Sequence, residues 1–391
     1  DNMNNFEYCN PTHLIFGKGR ENDIGAILLG KLQAGDTVLV VYGGKSAEKS
    51  GLIDRVRRSL EAAGLSAVFK GGVTPNPQLD LVRDGIEAAR ECGARAVLAV
   101  GGGSVIDASK AIAIGVPYEG DVWDFFAAGV SPKEALPVAC VLTLPAAGSE
   151  QSIRIVISGE GRKLGAGSPV VRPFASVINP EIFFTLPQKQ IRAGVIDMMS
   201  HIMERYFTLT EGTDFVDGQA EAAMRTIMRN GLKLMKNHED YDAWCQVSVA
   251  GSFAHNGYYA LGQTEDWASH GMEHELSAWD TSITHGDGLA VVIPAWMRYV
   301  YDVKPSRFAQ FASNVMGEEA GADDNETALK GIEALKRFYR EVGAPATLSD
   351  LGADKADSRE LAEKAVRIPG KLGGFKKLYA EDIAKIYDMM R

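Results

Sequence analysis

The 391-residue chain is short of several things, and each shortage narrows what it can do. Its four cysteines, Cys9, Cys92, Cys140 and Cys245, are scattered without close pairs, which suggests neither a disulfide framework nor a zinc ribbon. No apolar run approaches the roughly 20 residues of a membrane-spanning helix. The opening Asp1 to Asn10 lacks the charged-then-apolar pattern of a signal peptide, so the expectation is a cytoplasmic protein with no membrane partner. Positive charge is in deficit: 41 Lys and Arg against 51 Asp and Glu leave a formal charge of −10. Nucleic-acid-binding surfaces are basic, so small molecules are the expected partners and nucleic acid is not. There is no internal repeat and no low-complexity linker. Histidine is scarce as well, with seven in the whole chain, so where they fall is informative.

What is present is an ordinary globular composition: 46% hydrophobic, 24% charged, with 42 glycines. The length predicts two domains. In the first half, strand-like and helix-like segments alternate. Thr37 to Tyr42 is a β-branched run ending at Gly43-Gly44, followed by a helical pattern from Leu52 to Ala63. Ala67 to Phe69 leads to a second helix over Leu79 to Cys92, and Ala94 to Val100 runs into Gly101 and a helix over Val105 to Ile114. Strands separated by helices at this spacing predict an α/β, Rossmann-like domain with a mostly parallel sheet and its ligands at the carboxyl ends of the strands. Shorter β-like pieces follow at Ala139 to Pro145, Ile155 to Ser158 and Ala175 to Ile178. From Pro187 the pattern is helical, including Asp214 to Met235, Tyr241 to Tyr259 and Leu329 to Val342. The expected domains are residues 1–186 and, all-α, residues 187–391.

Asp197, His201, His270 and His285 are candidate ligands of a single divalent ion. Asp197 and His201 are four apart inside the apolar-periodic run from Ala193 to Tyr206, so on a helix they project from one face, one turn apart. His270 and His274 repeat that spacing, and His285 follows a short polar stretch that can fold back. An aspartate among Ile196, Met198, Met199 and Ile202 is costly to bury unpaired, and a cation would supply the pairing. Three imidazoles and one carboxylate suit Zn²⁺ or Fe²⁺ better than Mg²⁺ or Ca²⁺. Taken singly, each residue is equally an ordinary hydrogen-bonded helix residue, so the residue types leave both explanations standing.

The glycines carry a second piece of chemistry. In Gly101, Gly102, Gly103 and Ser104 a strand gives way to a helix through residues without side chains, so backbone N–H groups can approach a phosphate at a helix N-terminus. The usual dinucleotide fingerprint is incomplete, because Ile106 stands where its last small residue belongs. A tight turn needing glycine only for packing is the plainer alternative. Gly43, Gly44, Lys45 and Ser46 form a similar turn after the first strand. No acidic residue sits in it to bind ribose hydroxyls, whereas Lys45 and Ser46 could accept a 2′-phosphate, which favours NADP over NAD.

The segment Ala193-Gly194-Val195-Ile196-Asp197-Met198-Met199-Ser200-His201, together with Asp266-Trp267-Ala268-Ser269-His270-Gly271-Met272-Glu273-His274-Glu275-Leu276, closely resembles the iron-containing alcohol dehydrogenase family, in its butanol dehydrogenase and aldehyde reductase branch. The resemblance runs from Asn10-Pro11-Thr12 and Phe16-Gly17-Lys18-Gly19 through Gly101 to Ser104 and Thr143-Leu144-Pro145 to the histidine segments. It implies a dinucleotide-binding α/β domain joined to a helical metal-binding domain, and a homodimer. It makes Asp197, His201, His270 and His285 the ligands of Fe²⁺ or Zn²⁺ and places His274 beside the nicotinamide. Gly43, Gly44 and Ser46 match the turn holding the adenosine phosphate and Gly101 to Ser104 the pyrophosphate loop, with Asn76, Asp107, Thr143 and Lys163 as further cofactor contacts. The activity implied is interconversion of short-chain primary alcohols and aldehydes by hydride transfer, with His274 in a proton relay.

The chain departs from the branch at several points. The interval from His270 to His285 is one residue longer than usual, so assigning His285 requires the loop between them to absorb an insertion. Ala147 stands where threonine is usual and Lys45 where a third glycine is common. Ser152 and Arg154 replace an amide and a small residue near the expected nicotinamide pocket. Other activities on this pattern are polyol dehydrogenation, a cyclising lyase reaction, and metal and nucleotide binding without turnover. His255, on another helix pattern, is expected to be structural.

Overall fold

The β-branched and alanine-rich runs of the first half become strands because they can be buried on both faces: Val38, Leu39, Val40 and Val41 are all fully buried. The computed structural model describes residues 2–391. Its first compact unit is Cys9–Leu186. Eight strands belong to it, β1 (His13–Phe16), β2 (Thr37–Tyr42), β3 (Ser66–Lys70), β4 (Ala94–Gly101), β5 (Val138–Leu142), β6 (Arg154–Gly159), β7 (Arg162–Gly167) and β8 (Ala175–Ile178). Six form one sheet in the order β1-β8-β5-β4-β2-β3, and every pairing in it is parallel. Helices α1 (Leu52–Ala62), α2 (Leu79–Glu91) and α3 (Gly103–Gly115) make the crossovers.

Strand order reverses between β2 and β4, since β3 lies outside β2 while β5 and β8 continue on the other side of β4. Parallel α/β sheets bind ligands at such a switch point, beyond the strands' carboxyl ends. Gly43-Gly44 follows β2 there, and Gly101 to Ser104 leads from β4 straight into α3. The helix begins two residues before the sequence pattern suggests, with the extended Gly102 as its cap. Glycines also seat α3 on α2: a Cβ at Gly85 would stand 2.3 Å from Ile112, and one at Gly115 would stand 2.2 Å from Ile86. The antiparallel hairpin β6–β7 packs through Ile155 and Ile157, both fully buried. Strand β7 was not foreseen, because Gly165 and Gly167 are poor strand formers.

The second unit is Pro187–Arg391 with the segment up to Tyr8. Its helices include α4 (Gln188–Tyr206), α5 (Asp214–Lys236), α6 (Tyr241–Ser252), α7 (Ala268–Trp279) and α8 (His285–Val300), and others continue to Asp388. Every residue of α4 from Ala193 to Tyr206 is buried, which makes it the unit's central helix. The helix expected from Tyr241 to Tyr259 stops at Ser252, and the chain turns through Gly257 in the left-handed region (φ 89°) into a short 3₁₀ segment. Among the described residues no helix is long and apolar enough to cross a membrane, and all four cysteines are free thiols.

Candidate active site

In the helical unit, α4 presents Asp197 and His201 one turn apart, α7 brings His270, and His285 is the first residue of α8. His270 Nε2 lies 3.8 Å and His285 Nε2 3.5 Å from Asp197 Oδ1. The His201 and His270 rings are 4.5 Å apart between centroids, and the His270 and His285 rings 5.3 Å. Ligand atoms of Asp197, His201 and His270 lie within 4.8 Å of one another. In the loop before His285, Asp280 accepts from the Ser282 N–H and hydroxyl.

Each of the three histidines uses its Nδ1 on a protein acceptor. His201 Nδ1 bonds the Asp197 carbonyl at 2.8 Å, His270 Nδ1 bonds Glu204 Oε1 at 2.8 Å, and His285 Nδ1 bonds Glu273 Oε2. That arrangement assigns the tautomer and, for His270 and His285, leaves Nε2 facing Asp197, as in metal sites where outer acceptors orient the ligands. Asp197 Oδ1 and His270 Nε2 are buried with no hydrogen-bond partner. The 3.0 Å approach of His201 Nδ1 to that oxygen is not an aligned bond, because the nitrogen is directed at the carbonyl. Two orphaned buried lone-pair atoms, a carboxylate oxygen and the Nε2 that an Nδ1-protonated ring leaves bare, fit a cation of borderline softness among these imidazoles.

Electrostatics point the same way. Burial works against ionisation of Asp197, yet His201 and His285 hold its carboxyl well below the usual range. Burial pushes His201 down. Against burial, the nearby carboxylates of Asp197 and Glu204 raise His270 to about 9.

Several residues that fix this geometry escaped the sequence reasoning. Glu204, three residues after His201, accepts from the backbone N–H of His270 and of Trp267 as well as from the His270 ring. It thereby holds Trp267 in the left-handed region (φ 71°), which a bulky residue adopts reluctantly. Glu273, three residues after His270, also accepts from the Ser277 hydroxyl. Arg192 grips Asp287 through two bonds, of 3.0 and 2.9 Å, tying the start of α8 to the start of α4. Gly286 allows the approach, since a Cβ there would stand 2.2 Å from the Ala193 carbonyl oxygen. The signal was present as a glutamate three places after each of two histidines, but its meaning depends on burial that the local pattern does not reveal.

His274 is half-buried on α7, 5.8 Å from His285 between ring centroids. His255 reaches closer than expected: its ring centroid is 4.5 Å from His201, and its Nδ1 is 2.8 Å from Arg205 Nη2. Arg205 also donates to the His201 and Ala254 carbonyls.

In the α/β unit, the glycine turns divide their tasks. A Cβ at Gly101 would stand 2.4 Å from Val105, and one at Gly102 3.1 Å from Leu144, so packing explains these two. Gly103 has room and Gly44 meets nothing within 4 Å, so access to the N–H groups is what remains for them. Thr143 donates its N–H to the Gly101 carbonyl, and Ser104 lies in the first turn of α3. Lys45 and Ser46 are exposed beside a four-residue helical turn, Ser46–Lys49. Asn76, left-handed at φ 56° and buried, accepts from Lys163 Nζ at 2.8 Å. Asp107 spends both oxygens on the protein, Oδ1 on the Ser149 hydroxyl and Oδ2 on the Val156 N–H. Its evident task is to position the segment entering β6, which it shares with Lys110. The buried ammonium of Lys110 donates to the carbonyls of Ser149, Ser152 and Arg154. Burial pushes the Asp107 carboxyl up and the Lys110 ammonium down to about 8, against the attraction between them.

A parallel sheet with open glycine turns at its switch point, and a buried Asp-His cluster with orphaned ligand atoms, define a nucleotide-linked oxidoreductase that carries a metal ion. Residues 11–180 match the description iron-containing alcohol dehydrogenase, and residues 191–390 match Fe-containing alcohol dehydrogenase family, C-terminal. The chain belongs to the iron-containing alcohol dehydrogenase family. It is 41% identical over 387 residues to probable NADH-dependent butanol dehydrogenase 1 of Bacillus subtilis, covering 98% of this chain and 99% of that protein. It is 36% identical to the NADPH-dependent aldehyde reductase YqhD of Escherichia coli, covering 93% of each. The crystal structure of NADH-dependent butanol dehydrogenase A from Thermotoga maritima superposes with a TM-score of 0.95 at 38% identity, covering 100% of this chain and 99% of that one.

Proposed function

We propose that this protein interconverts short-chain primary alcohols and aldehydes, using one divalent metal ion and a nicotinamide dinucleotide. The observation that carries the proposal is the pair of orphaned buried atoms, Asp197 Oδ1 and His270 Nε2, in a chain of this family. Asp197, His201, His270 and His285 would hold the ion, Fe²⁺ or Zn²⁺. Gly43, Gly44, Ser46, Gly101 to Ser104, Asn76, Thr143 and Lys163 would hold the dinucleotide. When bound, the ion supplies Lewis-acid polarisation of the substrate oxygen and the nicotinamide supplies or accepts the hydride.

The chain's own residues do the rest. Glu204 and Glu273 fix the His270 and His285 rings through Nδ1, and the burial of Asp197, His201 and His270 keeps bulk water from the donor atoms. His274, of a type that titrates near neutrality and half-open to solvent, moves the proton between the substrate oxygen and water. The exposed Lys45 favours NADP, because an ammonium beside Ser46 suits a 2′-phosphate. A homodimer rests on the family resemblance, and a cytosolic location on the scattered cysteines.

The test follows NADPH and NADH absorbance with butanal as Fe²⁺ or Zn²⁺ is added to metal-stripped protein, with glycerol and 1-butanol compared as donors in the reverse direction. Metal-dependent oxidation of a reduced nucleotide by butanal is expected; its absence with every short aldehyde would sink the proposal. His201→Ala is expected to lose both bound metal and activity, and full metal content in that variant would show the ligands to be wrongly assigned.

A further inference from the structure

Glu273, His274 and His285 form a second cluster of ligand type within the helical unit. Glu273 and His274 are consecutive on α7 and His285 opens α8, and one ligand atom from each lies within 4.8 Å of the other two. The two histidine rings are 5.8 Å apart between centroids and inclined at 39°. Glu273 is fully buried, whereas His274 is half-buried and the His285 side chain is 23% exposed. A carboxylate thus forms the inner side of the cluster and two imidazoles its solvent side.

The carboxylate is built into the packing. Gly288 on α8 makes room for it, since a Cβ there would stand 2.8 Å from Glu273 Oε1. The Ser277 hydroxyl, one turn further along α7, donates to Oε1, and His285 Nδ1 meets Oε2. These bonds satisfy the oxygens, and a cation would in addition balance a charge that is costly to bury.

His285 joins this cluster to the one already described. Its Nε2 faces Asp197 Oδ1 at 3.5 Å while its Nδ1 faces Glu273. One ring therefore presents a nitrogen to each cluster, and both nitrogens can coordinate once the Nδ1 proton has gone.

We propose that Glu273, His274 and His285 Nδ1 bind a second divalent ion, Zn²⁺, with the His285 ring bridging it to the ion held by Asp197, His201 and His270. The inference rests on the first ligand set as proposed above. Two imidazole nitrogens and one carboxylate oxygen suit Zn²⁺ better than Mg²⁺ or Ca²⁺, and three protein ligands leave a fourth position for water. Entry of the ion displaces the proton that His285 Nδ1 shares with Glu273, and that proton leaves to solvent. The second site is therefore the weaker and fills when zinc is in excess. Once coordinated, His274 no longer carries protons, so excess zinc inhibits the activity that the first ion supports.

Zinc stoichiometry tests this without reference to turnover. Metal-stripped wild type, His274→Ala and Glu273→Gln are titrated with chelator-buffered Zn²⁺, and the bound zinc is counted. The wild type is expected to take two equivalents in two steps. His274→Ala is expected to stop at one, bound as tightly as the first equivalent of the wild type, which also shows that the variant has folded. Glu273→Gln is expected to lose the second equivalent too. A second equivalent retained in either variant places that ion elsewhere on the surface and overturns the inference. A wild type that stops at one equivalent overturns it as well and leaves the first ligand set standing, whereas a wild type that binds none overturns both. NADPH oxidation by butanal, followed along the same titration, should rise with the first equivalent and fall with the second. Undiminished turnover with two ions bound would refute the inhibition.

Discussion

Glu204→Gln asks whether the acceptor behind His270 is needed for metal binding or only for folding. Glu204 is 4% exposed and accepts three hydrogen bonds: from the His270 N–H at 2.9 Å and ring at 2.8 Å on Oε1, and from the Trp267 N–H at 2.8 Å on Oε2. Glutamine keeps one carbonyl oxygen for the two His270 donors, but its amide NH₂ then faces the Trp267 N–H, donor against donor. One buried backbone donor is left without an acceptor, at about 1–3 kcal/mol. A second effect opposes this. Asp266 is pushed up to about 7, first by burial and next by the charge of Glu204, so neutralising Glu204 relieves a repulsion. The stability loss should therefore fall at the low end of that range. Nothing offsets the loss at the metal, because an uncharged acceptor holds the His270 ring less firmly. Outer partners of ligating histidines are typically worth 10–100-fold in metal affinity, so about tenfold or more is expected. Chelator competition for Zn²⁺ and urea unfolding of the metal-free protein separate the two effects. Unchanged zinc affinity beside a lowered urea midpoint would refute the orienting role, and an unchanged midpoint would refute the hydrogen-bond count.

Two further substitutions probe the supports. Gly286→Ala places a Cβ where only 2.2 Å separates it from the Ala193 carbonyl oxygen, so the start of α8 must withdraw and take His285 with it. Catalytic constellations tolerate about 0.5 Å, so bound metal after gel filtration should fall well below one equivalent while helical circular dichroism persists; a full equivalent would show that His285 is not held this way. Lys110→Met removes the donor to three carbonyls and leaves Asp107 without its cation. Leaving buried carbonyls without their donor costs about 1–3 kcal/mol, to be read from urea unfolding, and a loss below about 1 kcal/mol would mean that the ammonium is dispensable.

The strands were legible where local composition and burial agree. Thr37 to Tyr42 and Ala94 to Gly101 are apolar throughout because central parallel strands are covered on both faces. Strand β7 was hidden, because its glycines serve the guanidinium of Arg154 and weaken the strand pattern. Asp197 and His201 could be read from their spacing of four and from the cost of burying a carboxylate among aliphatic neighbours. Arg192 and Asp287 could not, since they are 95 residues apart and nothing local predicts their pairing. Glu204 stayed hidden for another reason. An amphipathic helix advertises its buried face, but α4 is buried all round from Ala193 onward, and so its sequence gives no sign of which polar residues point inward.

The supports also explain why Asp197 and the three histidines alone would be a poor guide to this site. The bonds that hold the histidines are the bonds that join the helices: Glu204 ties α4 to the start of α7, Glu273 ties α7 to the first residue of α8, and Arg192 with Asp287 ties α8 back to α4. Without an ion this closed ring surrounds two buried atoms that have no partner. The fold therefore carries a cost that binding removes, and an ion that binds only the folded unit stabilises it in proportion to the logarithm of its free concentration over Kd. Metal affinity and fold stability should consequently change together for substitutions anywhere in the ring, including positions that never touch the ion.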